Sequence, residues 1–406
     1  MRTPTTCLLV LTLLLSACAS PEPKSPLADR LLVDAAFAAP SKPVDLRQAM
    51  AMSDEMARFA AGPLAAEVRM HGARGGLISA MNNRSGLKLD YDTARTRTAG
   101  EAYEARTGNC LSLVLMTAVF ARHLNLPVRY NSVYLDETWT RNNGLFFVTG
   151  HVNITLGRPV SPNGAAVYHE PEMVTLDFVP IEETRRQRAT AIDEQTLLAM
   201  YANNRAAEAL ASNELDDAYW WSRAAIKADP RWMASFNTLA VLYRRKGMGA
   251  PAEAALRFVL DREHENVQAL SNLALVLNDA GRKAEADRVT HQLSLIQPVP
   301  PYKYFDEGVA AMRVGDYKTA KNRFERELAR AAYVAEFHFW LGLANWGLGN
   351  PTATREHIAQ AMENSATQKD RRLYAAKLAW LKRNTELGQD SETDNQRRLD
   401  AYLRQR

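Results

Sequence analysis

From Asp45 onward the apolar positions recur at helical spacing. Asp45 reads as an N-cap, Leu46, Met50 and Met56 mark the apolar positions, and Gly62-Pro63 ends the run. A second helix is expected over Leu64 to Met81, stopping near Asn82-Asn83. Between Tyr91 and Arg188 the period alternates. Thr98 to Arg106 predicts a short helix, Gly108-Asn109 a break, and Cys110 to Leu124 a long apolar helix closed by Asn125 and Pro127. Val128 to Leu135, Leu145 to Leu156 and Val174 to Val179 carry β signals, with Gly144, Gly157, Pro159 and Pro162 at the turns. A helix with a cysteine in its first turn, followed by antiparallel strands, predicts an α+β unit over residues 45–190.

The remainder is helical and periodic. Gly247, Gly281, Gly315 and Gly349 stand 34 residues apart, as do Ala218, Ala252, Ala286 and Ala320. Ala206, Ala240, Ala274, Gly308 and Gly342 form a third column in phase with them. Small residues where two helices cross, with glycine at the turn between them, let a helical hairpin close and stack on its neighbour. Five units are expected, starting near Ala199, Met233, Val267, Pro301 and Ala335. They make an all-α solenoid over residues 199–366, followed by a capping helix and basic tail over residues 367–406. Leu239-Ala240-x-x-Tyr243, Leu273-Ala274-x-x-Leu277 and Leu341-Gly342, with Pro230 and Pro298 at unit ends, resemble tetratricopeptide repeats. That resemblance implies a protein or peptide partner on the solenoid.

The first 18 residues depart from both patterns. Arg2 precedes an apolar run from Leu8 to Leu15, and Leu15-Ser16-Ala17-Cys18 resembles the lipobox of a bacterial lipoprotein. The resemblance implies a signal peptide over residues 1–17, cleavage before Cys18 and acylation of that cysteine. With Ala19 rather than Asp next, the expected address is the outer membrane, facing the periplasm. Residues 18–44, with Pro21, Pro23, Pro26, Pro40 and Pro43, read as an extended tether from that lipid anchor.

Charge adds little. The net charge is +4, and from Ala366 to Arg406 there are ten Lys or Arg against six Asp or Glu, so the rest balances to zero. No basic stretch is interleaved with aromatics, which argues against a nucleic-acid partner. The chain has no His-Glu-x-x-His run and no phosphate-cradling glycine loop, so neither a metal nor a nucleotide cofactor is implied.

Processing would remove Cys7 and acylate Cys18, leaving Cys110 as the free thiol: an inert core residue, an intermolecular partner or a nucleophile. Its neighbours favour the nucleophile. A helix N-terminus stabilises negative charge on sulfur, and its unpaired N–H groups can hold a developing oxyanion. His151 lies on an alternating strand with Asn153 and Thr155, opposite to Val152, Ile154 and Leu156, and so on a face away from the sheet core. Asp177 is an isolated carboxylate in an apolar strand, where an imidazole Nδ1–H would satisfy it. His169 is a rival base.

Thr98-Ala99-Gly100-Glu101-Ala102-Tyr103 leading into Arg106-Thr107-Gly108-Asn109-Cys110, with His and Asp on successive strands, resembles the transglutaminase-like superfamily over roughly residues 85–185. Leu111 stands where animal-type members have an aromatic residue. The resemblance implies a papain-like thiol enzyme, with Cys110 as nucleophile, His151 as general base and acid, and Asp177 as its orienter. Tyr103 and Asn109 are candidates for oxyanion support. The competing readings are a non-enzymatic scaffold using the repeats, or an envelope assembly factor contacting proteins through Trp220, Trp221, Trp232, Trp340 or Trp346.

Overall fold

The structure, a computed structural model, describes residues 26–82, 87–92, 95–133, 139–142, 145–148, 151–157, 173–178, 189–332, 334–365 and 368–386. The segment expected to be a signal peptide, Cys18, His169 and the tail beyond residue 386 lie outside them. No helix among the described residues is long and apolar enough to cross a membrane.

Helix α1 (Pro26–Asp29) and a 3-10 turn at Asp34–Ala36 open the described chain. Asp45 accepts the Arg47 amide at 3.0 Å, but the turn it caps, Leu46–Met50, is 3-10 and stops there. Ser53 then caps a separate helix, α2 (Asp54–Phe59). Gly62-Pro63 does not end the helical path. A wide π turn at Ala60–Leu64 takes up the missing proline N–H and leads into α3 (Ala65–Asn82), which kinks at Gly72 with φ +72°.

Strand β1 (Asp90–Tyr91) pairs in parallel with β2 (Thr107–Gly108), on either side of α4 (Ala99–Ala105), whose capping box is Thr98 with Glu101. Helix α5 (Cys110–His123) follows, buried along almost its whole length. A four-stranded antiparallel sheet has the order β7-β6-β3-β8, with β3 at Val128–Val133, β6 at His151–Leu156, β7 at Val174–Leu176 and β8 at Ala189–Ile192. Strands β4 (Trp139–Asn142) and β5 (Leu145–Val148) form a separate hairpin, so the expected run from Leu145 to Leu156 is divided between two sheets.

Five helical hairpins follow: α6 (Glu194–Ala211) with α7 (Leu215–Ala228), α8 (Met233–Arg245) with α9 (Gly249–Leu260), and α10 (Val267–Asp279) with α11 (Lys283–Ile296). The last two are α12 (Lys303–Arg313) with α13 (Tyr317–Leu328) and α14 (Ala335–Gly347) with α15 (Pro351–Glu363). Helix α16 (Gln368–Glu386) packs Tyr374 against Phe339 at 5.2 Å. The four column glycines sit between paired helices at φ +72° to +77°, a left-handed turn that costs glycine nothing. Asn213, with φ +62°, fills the same place in the first hairpin. Ala218, Ala252, Ala286 and Ala320 are fully buried where the helices cross.

Two features depart from the expected organisation. Leu197, Met200 and Tyr201 of α6 belong to the core of the α+β unit, in one apolar cluster with Leu113 and Phe120 of α5. The unit therefore closes on the first repeat helix, which begins five residues before Ala199, and not at residue 190. The segment expected to be a free tether, moreover, is docked from residue 26 to 41: Ala28 and Phe37 are buried in one core with Tyr219 and Tyr243. The solenoid core is itself divided. One apolar cluster runs from Leu210 to Ala286 and another from Tyr302 to Tyr374, and Leu295 between them is 70% exposed.

Candidate functional site

Asn109 starts the site by capping α5. Its Oδ1 accepts the Ser112 N–H at 2.9 Å and the Ser112 hydroxyl at 2.7 Å, while its Nδ2 donates to Thr96 Oγ1 at 2.9 Å. The carboxamide is thus committed to holding the helix start, which corrects its expected place in an oxyanion site. Cys110 follows as the first residue of α5, 6% exposed.

His151 begins β6, and its Nε2 lies 2.7 Å from Asp177 Oδ1. The ring is therefore turned the other way from the expected Nδ1–H to carboxylate bond. Cys110 lies close enough to this imidazole to help raise its pKa. Asn153 Nδ2 donates to the second carboxylate oxygen of Asp177 at 3.1 Å, so both oxygens are held. Nor does the His151 face look outward: His151, Asn153 and Thr155 are all buried, with His151 3% exposed. A polar ladder takes the place of solvent there. Asn131 donates to Asn153 at 2.8 Å and to Thr155 at 2.9 Å, and Thr155 meets Thr175 at 2.9 Å.

Burial pulls the His151 pKa down, but the hydrogen bonds to Asp177 and Cys110 and their negative charges outweigh it, raising it to about 9. The imidazole is then an imidazolium at neutral pH whenever the sulfur beside it is a thiolate.

The structure brings one more group to the sulfur. Tyr91 pairs with Gly108, two residues before Cys110, and its phenol lies close enough to Cys110 to be affected by it. Burial and the negative charge of Cys110 raise the phenol's pKa, so it stays a neutral donor. Tyr103, the phenol singled out from sequence, is elsewhere: it packs among Phe59 (5.7 Å) and Phe120 (6.0 Å), with Arg106 over its ring at 4.1 Å. Tyr91 carried no local signal, because a two-residue strand leaves no periodicity to read.

No protein-family model matches the chain, and no curated protein is similar to it. Among solved structures it is similar to a thermophilic TPR protein of Thermus thermophilus, at 17% identity over 45% of this chain and 99% of that one, with a TM-score of 0.29. It is also similar to YrrB, a TPR protein described as having an unusual peptide-binding site (19% identity, 44% and 92% covered, TM-score 0.24). A third likeness is to pilF of Pseudomonas aeruginosa (15% identity, 52% and 90% covered, TM-score 0.28). At these scores the likenesses carry no weight of their own, and the solenoid rests on the chain's five hairpins at a 34-residue spacing.

Proposed function

We propose that this chain is a tetratricopeptide-type scaffold that engages a protein partner, and that its α+β unit is a transglutaminase-like domain adding a thiol site that cleaves or transfers an amide. The observation that carries the chemistry is one imidazole shared between Cys110 and Asp177, with His151 Nε2 at 2.7 Å from the carboxylate. The Cys110 thiolate attacks the amide carbonyl, and the electron pair moves to the carbonyl oxygen. In this reading the Tyr91 hydroxyl and the Cys110 N–H serve as the donors to that oxyanion. Imidazolium His151 then gives its Nδ1 proton to the leaving amine as the C–N bond breaks, leaving a Cys110 thioester. Water or a second amine, deprotonated by the same nitrogen, releases the acyl group and restores the thiol.

Intact-mass analysis of the folded protein with iodoacetamide at neutral pH tests the site. One adduct on Cys110, absent in Cys110→Ala and slower in His151→Ala, is the expected result. Modification that requires denaturant would remove the enzyme reading.

The burial of Cys110 favours a second reading, in which the thiol site is silent and the repeats are the working part. The lipobox supports attachment of the chain through acylated Cys18 to the periplasmic face of the outer membrane. Cys18→Ser should then move the protein from the membrane fraction to the soluble periplasm, and unchanged partitioning would sink that assignment.

A further inference from the structure

Residues 31 to 41 lie over α7 and the end of α8 as a strap with a 3-10 turn at Asp34–Ala36, and the solenoid's side chains reach its main chain directly. The Tyr243 hydroxyl donates to the Leu31 carbonyl at 2.7 Å and accepts the Val33 N–H at 3.2 Å. Trp220 Nε1 donates to the Ala38 carbonyl at 2.6 Å, Asp216 accepts the Ala38 N–H at 3.2 Å, and Asp217 accepts the Ser41 N–H at 2.6 Å. Bonds to peptide groups read the path of a backbone without regard to its side chains. Selectivity comes from two positions. Phe37 stacks on Tyr219 with ring centroids 4.0 Å apart and 1° between planes, and the Lys246 ammonium lies 4.4 Å from the Phe37 ring centre. Asp34 meets the Tyr219 hydroxyl and, at 3.0 Å, Arg223.

This is the manner in which a repeat surface holds a peptide ligand, and here the ligand belongs to the same chain. Among the described residues no strand pairs with the strap, and the Asp34–Arg223 ion pair at its rim is solvent-exposed and holds it weakly. We propose that the surface formed by α7 and the end of α8 is a peptide-binding site occupied in cis by residues 31–41. The partner it fits is a segment of another protein that makes the same single turn, with a carboxylate three residues before an aromatic ring as in Asp34 and Phe37, and that exchanges against the strap. The proposal deepens the reading of the repeats as a partner-binding scaffold. Its failure would leave the other hairpins open to a partner and Cys110 alkylation untouched, so the two can be told apart.

The probe is a fluorescent synthetic peptide of residues 27–42, added to full-length protein carrying Asp34→Ala and Phe37→Ala together, with anisotropy as the readout. A tethered segment competes at an effective concentration of about millimolar. The opened variant should therefore bind the peptide saturably, and the unaltered chain at least about tenfold more weakly. A peptide with Phe37→Ala should bind the opened variant at least about tenfold more weakly than the native peptide. An opened variant that keeps its helical circular dichroism yet ignores the peptide, or binds both peptides equally, would overturn the proposal. Should that variant unfold, protein cleaved after the exposed Lys42 serves instead. The labelled peptide should replace the severed strap, and a strap that never exchanges with excess peptide would equally overturn it.

Discussion

Glu208 on α6 accepts the main-chain N–H of Thr96 at 2.6 Å, so the first repeat helix holds the loop on which the cap of the Cys110 helix rests. Thr96 in turn accepts from Asn109, the cap itself. Glu208→Ala leaves that N–H without its acceptor, a loss of about 1–3 kcal/mol locally. Alkylation of Cys110 in the folded protein should slow several-fold. Glu208→Gln retains an acceptor oxygen and should restore the rate. Equal rates in Ala and wild-type proteins would mean that the solenoid does not support the thiol site.

A segment ending at residue 190 lacks Leu197, Met200 and Tyr201, which are buried in the core around α5. Expressed alone, residues 45–190 should be unfolded or molten, with no protected Cys110. Extension to residue 230 adds α6 and α7 and should restore a cooperative thermal transition. A cooperative fold in the shorter segment would separate the two units after all.

The His151 pair makes stability depend on pH. An imidazole whose pKa rises from 6.5 in the unfolded chain to about 9 in the fold holds its proton more tightly when folded. That contribution is complete below pH 6.5, falls as pH rises through the interval, and is gone above about 9. Asp177→Asn removes the carboxylate charge. The melting-temperature difference between wild type and this variant should therefore shrink from pH 6.5 to pH 9, and a constant difference would rule the pairing out. Any amide turnover should fall about 10²- to 10⁴-fold in His151→Ala.

Gly308 lies where α12 crosses α13, and a Cβ there would stand 2.5 Å from the Phe324 ring. Phe324 is fully buried beside Phe305 and Trp340, so the ring has little room to move. Overpacking of about 1–3 kcal/mol should exceed the gain of about 1 kcal/mol in helix propensity. Gly308→Ala should lower the melting temperature. Gly249→Ala, where a Cβ meets nothing within 4 Å, should hold or raise it.

How much could be read from the chain follows from how local each feature is. The hairpins were legible because a left-handed turn demands glycine every 34 residues and a helix crossing demands alanine, and both demands are met within one unit. The Asn213 turn belonged to the same column, and its tolerance of positive φ was a usable signal. Cys110, His151 and Asp177 could be picked out because each is chemically unusual in its setting. The ring orientation and Tyr91 could not, since both depend on strand pairings between distant segments. The strap was misread as a tether because proline-rich composition reports extension and not contact. Phe37 was the clue, an aromatic residue amid prolines and alanines. The tryptophans fall mainly in packing positions: Trp221 and Trp232 lie on the α+β core, Trp340 and Trp346 on the C-terminal one, and Trp220 meets the strap.

The sharing of α6 sets an order on biosynthesis. The cysteine helix, His151 on β6 and Asp177 just after β7 leave the ribosome before the helix that completes their core. The sulfur thus stays outside a finished fold until about residue 211 has emerged, and the strap at residues 31–41, though made first, has no surface to settle on until α8 follows. A chain made from its N-terminus would fold out of sequence order: the strap, among its earliest residues, docks only after α8, and the core around Cys110 closes only once the first repeat helix has formed.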